Sequence, residues 1–152
     1  MSLDDIAVDS VKRLLAATDR TGSTIRVQGW LRSKRDSKAG ISFLAIHDGS
    51  CFDPIQAVVP ADLHNYESEI KKLSTGCSVE VCGVLVESEG SGQALEIQAT
   101  EVRVVGLVDD PEGYPIAKKR HTFEYLRTQA HLRARTNTFG AITRVRTTLA
   151  NA

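Results

Sequence analysis

The chain has 152 residues, of which 41% are hydrophobic and 25% charged, and its formal net charge is zero. This length allows one domain, or one domain and part of another, and the composition is that of an ordinary globular protein. No apolar run approaches the roughly 18 residues of a membrane span, and the N-terminus has no signal-peptide core.

The three cysteines and four histidines give no sign of a disulfide framework or a metal site. The cysteine count is odd, and no cluster of Cys and His has the spacing of metal ligands. We therefore expect a cytoplasmic protein with reduced thiols, no bound metal and no membrane association.

The neutral net charge hides two basic regions around an acidic middle. Residues 26–38 carry five Lys or Arg against one Asp, and residues 118–146 carry eight against one Glu. Residues 47–113 carry thirteen Asp or Glu and only three basic residues. This asymmetry fits a polyanionic partner, although solvated polar surfaces produce the same pattern.

The first half of the chain begins with a short predicted helix over residues 9–17, capped by Asp9 or Ser10. A break at "DRTGS" follows, and the apolar period then switches to two, which indicates strands. Three strands are predicted in this half: "TIRVQGWLR" (24–32), "ISFLAIHD" (41–48) and "IQAVV" (55–59).

The next segment predicts a helix and two further strands. Residues 61–74 place Leu63, Tyr66, Ile70 and Leu73 at helical spacing. The strands "SVEVCGVLVE" (78–87) and "LEIQATEVRVV" (95–105) flank a hairpin loop whose "GSG" tip is too far from any helix to be a phosphate loop. The apolar phase slips between Ala99 and Val102, which predicts a β-bulge.

The order of elements predicts an all-β fold with short helices, although other small barrels remain possible. Three strands, a helix and two strands match the OB-fold, a five-stranded Greek-key barrel. An N-terminal helix and a C-terminal helical extension would flank it. The predicted divisions are a helical segment 1–23, the barrel 24–106, a Pro- and Gly-rich linker 107–117 and a helical segment 118–152 that begins another domain.

Strand alternation defines a candidate surface but leaves one residue open. Phe43 shares a strand face with Ile41 and Ala45, and alternation alone does not decide whether that face is the core or the outside. If it is the outside, Gln56 and Glu96 also point outward, beside the arginines of the first strand. An exposed aromatic with cations and amides nearby suits single-stranded nucleic acid. We identify no catalytic residues.

Longer stretches resemble a known family. "VQGWLRSKRDSKAGISFLAIHDGS" followed by "CFDPIQAVV" resembles the N-terminal anticodon-binding domain of class II aminoacyl-tRNA synthetases of the aspartate, asparagine and lysine group. "DPEGYPIAKKRHTFEYLRTQAHLRARTN" with "GAITRVRTTLA" is similar to the hinge and first catalytic helices of bacterial-type asparaginyl-tRNA synthetases. An aspartyl or lysyl enzyme would be expected to carry a "RYLDLR"-like run in place of "EYLRTQAHLR".

The resemblance implies that the partner is the anticodon stem-loop of a tRNA. By this resemblance Phe43 stacks on the middle anticodon base and Gln56 bonds the anticodon bases. Glu96 matches a glutamate that reads the first base, and Arg32 and Arg35 lie near the phosphates. The same basic run supplies three possible phosphate contacts, Arg26, Lys34 and Lys38.

The class II catalytic motifs do not occur in these 152 residues. We therefore expect a fragment that binds tRNA, has no cofactor and is inactive alone, whereas the full-length family uses ATP and Mg²⁺ and is homodimeric. The fragment itself is expected to be a monomer or weak dimer. Alternatives are a free-standing single-strand-binding OB protein, an aspartyl or lysyl anticodon domain, or a paralogue that only docks on another protein.

Overall fold

The computed structural model describes residues 5–38, 40–90, 92–117 and 119–152. Several predicted features extend beyond these ranges. They are the start of the N-terminal segment (1–4), Ala39 in the turn after the first long strand, Ser91 in the hairpin tip and Lys118 at the start of the C-terminal segment, all of which lie outside the described residues.

Strands dominate the first two thirds of the described chain, and helices dominate its end. The strands are β1 (Val8–Asp9), β2 (Thr24–Asp36), β3 (Ile41–His47), β4 (Ile55–Pro60), β5 (Ser78–Glu87) and β6 (Leu95–Gly106). The α-helices are α1 (Val11–Leu15), α2 (Phe123–Thr128) and α3 (Asn137–Ala150), and short 3₁₀ turns occupy Thr18–Arg20, Ile70–Lys72 and Arg133–Arg135. No helix of the described residues is long and apolar enough to cross a membrane.

The five long strands close into a barrel because β2 pairs with two neighbours. It runs antiparallel to both β3 and β5. The circuit is completed by antiparallel pairing of β3 with β4, parallel pairing of β4 with β6 and antiparallel pairing of β5 with β6. The predicted five-stranded barrel is therefore confirmed, and the short β1 adds a parallel pairing to β2.

Alternating side chains fill the barrel. Leu44 and Ile46 of β3 are fully buried, as are Ile55 and Ala57 of β4 and Ile97 of β6. Residues between them face outward. The structure thus decides the alternative that alternation left open: Leu44 and Ile46 face the core, and Phe43 lies on the outer surface of the barrel.

The predicted bulge in β6 is present. Cys82 pairs with Glu101 and the next residue, Gly83, pairs with Ala99, so Thr100 is the extra residue. The strands approach closely here, since a Cβ on Gly83 would lie 2.2 Å from the carbonyl oxygen of Gln98. The bulge lets Ala99 and Val102 both face the core although they are three residues apart.

The helix predicted over residues 61–74 is wrong. Tyr66, Ile70 and Leu73 are buried as the spacing suggested, but the backbone forms turns and only one 3₁₀ turn. The side-chain amide of Asn65 donates to the carbonyl of Val102, and its own carbonyl accepts from Glu69 and also from Ile70, five residues on. Lys71 likewise donates to Tyr66 over five residues, so the bonds do not continue as an i→i−4 helical ladder. The N-terminal helix is present but shorter than predicted, and Ser10 is its N-cap.

A buried carboxylate joins three barrel residues of the surface between β2, β5 and β6. Glu80 is 1% exposed and accepts hydrogen bonds from Arg26 (2.9 Å), Gln28 (2.6 Å) and Arg103 (2.8 Å). Burial alone would raise the pKa of Glu80, but the bonds from Arg103 and Gln28 and the charge of Arg26 outweigh burial and hold that pKa below its ordinary value.

We expect Glu80→Gln to lower the free energy of unfolding by about 3 kcal/mol at pH 7, because it removes the counter-charge that Glu80 gives to the buried Arg26. Because the pKa of Glu80 is lower in the folded chain than in the unfolded chain, its ionised carboxylate stabilises the fold at a pH above the unfolded pKa of about 4.3. This stabilisation is lost as the pH falls through the folded pKa. Urea unfolding from pH 7 to pH 3 should therefore show the wild type and the variant converging in acid. A constant difference would contradict the role of the Glu80 charge.

Candidate nucleic-acid interface

The outward ring of Phe43 is held beside a guanidinium by strand register. Phe43 pairs with Arg35 of β2 on one side and with Val58 of β4 on the other. The Cζ atom of Arg35 lies 4.7 Å from the ring centroid, a cation–π contact. The ring is half-buried. A base that stacks on Phe43 therefore either uses the face opposite Arg35 or displaces that guanidinium.

Gln56 lies one strand further around the same surface. It pairs with Ala45 of β3 and with Glu96 of β6. Its amide nitrogen donates to the Glu96 carboxylate over 3.1 Å. Because a carboxylate accepts hydrogen bonds, this contact fixes which end of the amide is nitrogen and leaves the Gln56 carbonyl oxygen and one N–H available to a ligand.

Glu96 faces outward as predicted but is not exposed. Only 6% of its surface is accessible, because the β5–β6 hairpin folds over it. Its carboxylate accepts from Gln56, from Ser88 (2.9 Å) and Gln93 (3.3 Å) of the hairpin, and from Gln98 (3.2 Å) on its own strand. The structure therefore makes Glu96 a residue that orients Gln56 and the hairpin. Alternation predicts which face a side chain takes, but it does not predict the loop that covers it.

These side chains border an open groove of about 470 Å³, the barrel-face groove. Its lining residues come from β2, β3, β4, the β3–β4 loop and the β5–β6 hairpin: Ser33, Lys34, Arg35, Phe43, Ala45, Pro54, Gln56 and Gln93. The structure thus brings together four predicted residues, Lys34, Arg35, Phe43 and Gln56. It adds Gln93, which sequence reasoning missed because hairpin-loop residues follow no periodic pattern.

Three other cations of the first basic region, Lys34, Lys38 and Arg26, differ in how exposed they are. Lys34 lines the groove, but its side chain is only 9% exposed and its ammonium donates to Asp36 and to the carbonyl of Lys71. Lys38 is exposed at the turn after β2. Arg26 is buried and its guanidinium donates to Glu80, so its contact with phosphate stays a prediction.

Arg32 is separated from Arg35 by an irregularity in β2. The register with β3 shifts between Leu31 and Ser33, which turns Arg32 away from the barrel-face groove. Its guanidinium donates to the carbonyl of Arg135 and, over 2.6 Å, to the side chain of Asn137. Burial lowers the pKa of Arg32. Arg32 and Arg35, which the resemblance places near the same phosphates, thus lie on different surfaces.

A closed five-stranded barrel with an outward aromatic ring, an oriented amide and a cation defines the class of OB-fold nucleic-acid-binding domains. Residues 25–105 match the tRNA anticodon family, described as "OB-fold nucleic acid binding domain", and the chain belongs to that family.

Curated relatives and solved structures agree with this assignment. The chain is 63% identical over 143 residues to "Asparagine--tRNA ligase" of Hahella chejuensis, a match that covers 94% of this chain and 31% of that protein. It is 62% identical over 147 residues to the protein of the same name from Colwellia psychrerythraea, covering 97% and 32%. The asparaginyl-tRNA synthetase of Pyrococcus horikoshii superposes with a TM-score of 0.74 at 26% identity, over 87% of this chain and 31% of that one.

These matches confirm the resemblance to the asparaginyl-tRNA synthetase group that the residues indicated. The chain spans about a third of the length of the curated relatives that it matches.

We expect Glu96→Ala to lower the free energy of unfolding by about 1–3 kcal/mol, because it leaves several donors without their common acceptor. Gln98→Ala is the matched control: it lies on the same strand, is exposed and loses only its single bond to Glu96. Its cost should stay within about 0.5 kcal/mol. Urea unfolding measures both, and equal costs would contradict the central position of Glu96.

Proposed function

We propose that this chain is the anticodon-binding part of an asparagine–tRNA ligase and that its ligand is the anticodon stem-loop of the corresponding tRNA. The observation that carries the proposal is the barrel-face groove, in which Phe43, Arg35 and Gln56 meet on an OB barrel. The names of the curated relatives support the choice of tRNA as the ligand.

Recognition divides among the groove residues by chemistry. Phe43 supplies a stacking surface for an unpaired base, a contact worth about 1–3 kcal/mol and tolerant of base identity. Arg35 adds positive charge at the same place and binds phosphate without reading sequence. Gln56 reads a base edge through its carbonyl oxygen and free N–H, which a mismatched base would leave unpaired.

Glu96 makes this reading specific by fixing the amide of Gln56. If that amide rotated freely, its donor and acceptor could exchange, and two different base edges would fit equally well. The bond of 3.1 Å to a carboxylate that is itself held by the hairpin favours one orientation. In this proposal Gln56 touches the base and Glu96 is a positioning residue.

The resemblance implies ATP and Mg²⁺ for the full-length family, and the described residues do not fit the Mg²⁺. Within the described ranges, no group of three or more His, Cys, Asp or Glu side chains is arranged to hold a metal ion. The barrel-face groove carries no carboxylate among its lining residues. The contribution that we propose for this chain is RNA binding.

Two further expectations belong to this proposal. The three cysteines are free thiols, two of them buried, which fits the reducing cytoplasm as the place of action. We also propose that the isolated chain is a monomer or weak dimer. Sedimentation at micromolar concentrations measures the oligomeric state.

We expect Phe43→Ala to weaken binding to a hairpin with the asparagine anticodon by roughly 5- to 150-fold, the loss of 1–3 kcal/mol of stacking. Fluorescence anisotropy with a labelled hairpin measures the affinity. The matched control is Phe123→Ala, which removes another exposed ring, 54% accessible, from α2. Unchanged affinity of the Phe43 variant would overturn the stacking role.

We expect the wild-type chain to prefer the asparagine anticodon hairpin over the aspartate and lysine hairpins in a competition assay. Gln56→Ala should narrow that preference because it removes base-edge contacts, whereas Gln98→Ala, outside the groove lining, should preserve it. Equal binding of all three hairpins by the wild type would indicate a general single-strand binder. A preference for the aspartate or lysine hairpin would identify a different member of the group.

A further inference from the structure

A second groove, of about 510 Å³, lies between the barrel and α3. We call it the arginine groove, because Arg32 of β2, Arg135 before α3 and Arg144 of α3 all line it, together with His47 of β3. Trp30 and Phe52 form apolar parts of its wall and are 45% and 47% exposed. The groove therefore combines cations with accessible aromatic rings.

The charges of the three arginines are not neutralised by carboxylates. The lining of the groove contains no Asp or Glu, and none of the ion pairs found among the described residues uses Arg32, Arg135 or Arg144. Two acidic residues, Asp48 and Asp53, adjoin lining residues in sequence. The oxygens of Asp48 accept from Ser50 and from the backbone N–H of Val11.

The arginines instead bind neutral groups of the protein. Arg32 donates to the carbonyl of Arg135 and to the side chain of Asn137. Arg144 donates through Nη2 to the carbonyls of Gly49 and Cys51, and Arg135 donates to the Tyr114 hydroxyl while its guanidinium lies 5.1 Å from the ring centroid of Trp30. A guanidinium has five N–H donors, so each of these side chains keeps donors for an anion.

Two neighbouring features of the arginine groove are also electrostatic: the pKa of His47 and the N-terminus of α3. Burial lowers the pKa of His47, and the charges of Arg32 and Arg144 lower it further. The N-terminus of α3, a helix of fourteen residues, also lines the groove, and its N-cap Thr136 makes no side-chain capping bond. Its first backbone N–H groups add positive potential at the same wall.

The two grooves lie along one strand of the barrel. Phe43 and His47 are four residues apart on β3, so both point to the outer surface about 13 Å apart. One strand of B-form DNA rises about 3.4 Å per nucleotide, so this distance is the span of a few nucleotides. An RNA strand with a base on Phe43 would thus place phosphates of nearby nucleotides at the arginine groove.

We propose that the arginine groove is a second RNA-binding surface, which holds backbone phosphates of the same RNA a few nucleotides away from the base on Phe43. The proposal rests on the proposed function, since it takes RNA to be the ligand. Contacts of this kind add affinity and orientation but no sequence preference. The surface is shared between barrel and α3, so it also depends on their mutual placement.

Arg144→Gln tests the proposal. We expect it to weaken the asparagine, aspartate and lysine hairpins by the same factor, about three- to tenfold at low salt, and to reduce the slope of log K against log salt by about 1. Arg146→Gln is the matched control, because it removes the same charge from an exposed position of the same helix outside the groove. It should change neither quantity.

Thr143→Glu separates RNA binding from folding. Thr143 lines the groove and is exposed, so a glutamate there would place a carboxylate among unpaired guanidiniums. We expect the melting temperature to stay equal or rise while the affinity for all three hairpins falls about tenfold. A variant that melts lower and binds RNA normally would overturn the proposal.

The outcomes distinguish this proposal from the proposed function. If Phe43→Ala weakens RNA binding while Arg144→Gln behaves like Arg146→Gln, the arginine groove is not an RNA surface but the proposed function stands. If the wild type binds no hairpin, both proposals fail. If a short polyglutamate peptide binds the wild type but not Arg144→Gln, and leaves the affinity for all three hairpins unchanged, the groove fits an acidic polypeptide, and the RNA assignment is overturned.

Discussion

The double pairing of β2 is the interaction on which the rest of the structure depends. By bonding to β3 with one edge and to β5 with the other, β2 closes the sheet and leaves no long free edge on the barrel. Closure also decides what becomes a surface. Once Leu44 and Ile46 are enclosed, Phe43 has nowhere to point but outward, and the strand pairing sets Arg35 and Val58 on either side of it.

Residues of β2 line both grooves, and the register shift in this strand separates the two surfaces. Arg35 remains in phase with the barrel face, whereas Arg32 turns toward the C-terminal segment. One basic run of sequence thus serves two surfaces with different chemistry. The barrel-face groove offers an oriented amide and an aromatic ring, and the arginine groove offers cations with no carboxylate among its lining residues. In our proposals, the first groove reads a base and the second attracts the RNA backbone.

The spacing of apolar residues was sufficient to predict the strands of the barrel, but it did not predict the structure of residues 61–74. The strands and the phase slip of the β6 bulge follow from alternation, because a closed barrel enforces a period of two, whereas the inward face of β3 needed the structure. Residues 61–74 carry helical spacing, yet they form turns and one 3₁₀ turn, and the side chain of Asn65 bonds to β6 instead. The burial of Arg26 and Glu96 could not be predicted from alternation either, because it involves segments distant in sequence. β1 lies beside Arg26, and the β5–β6 hairpin covers Glu96.

The bulge at Thr100 has a consequence for how the chain tolerates changes in length. It is the one residue of β6 that allows Leu95, Ile97 and Ala99 to face the core on one side of it and Val102 to do so on the other. Deleting a residue there would force one end of the strand to invert. If the first end inverted, the carboxylate of Glu96 would enter the hydrophobic interior and Gln56 would lose its anchor. The orientation of Gln56 in the barrel-face groove therefore depends on the number of residues in β6, at a position outside that groove.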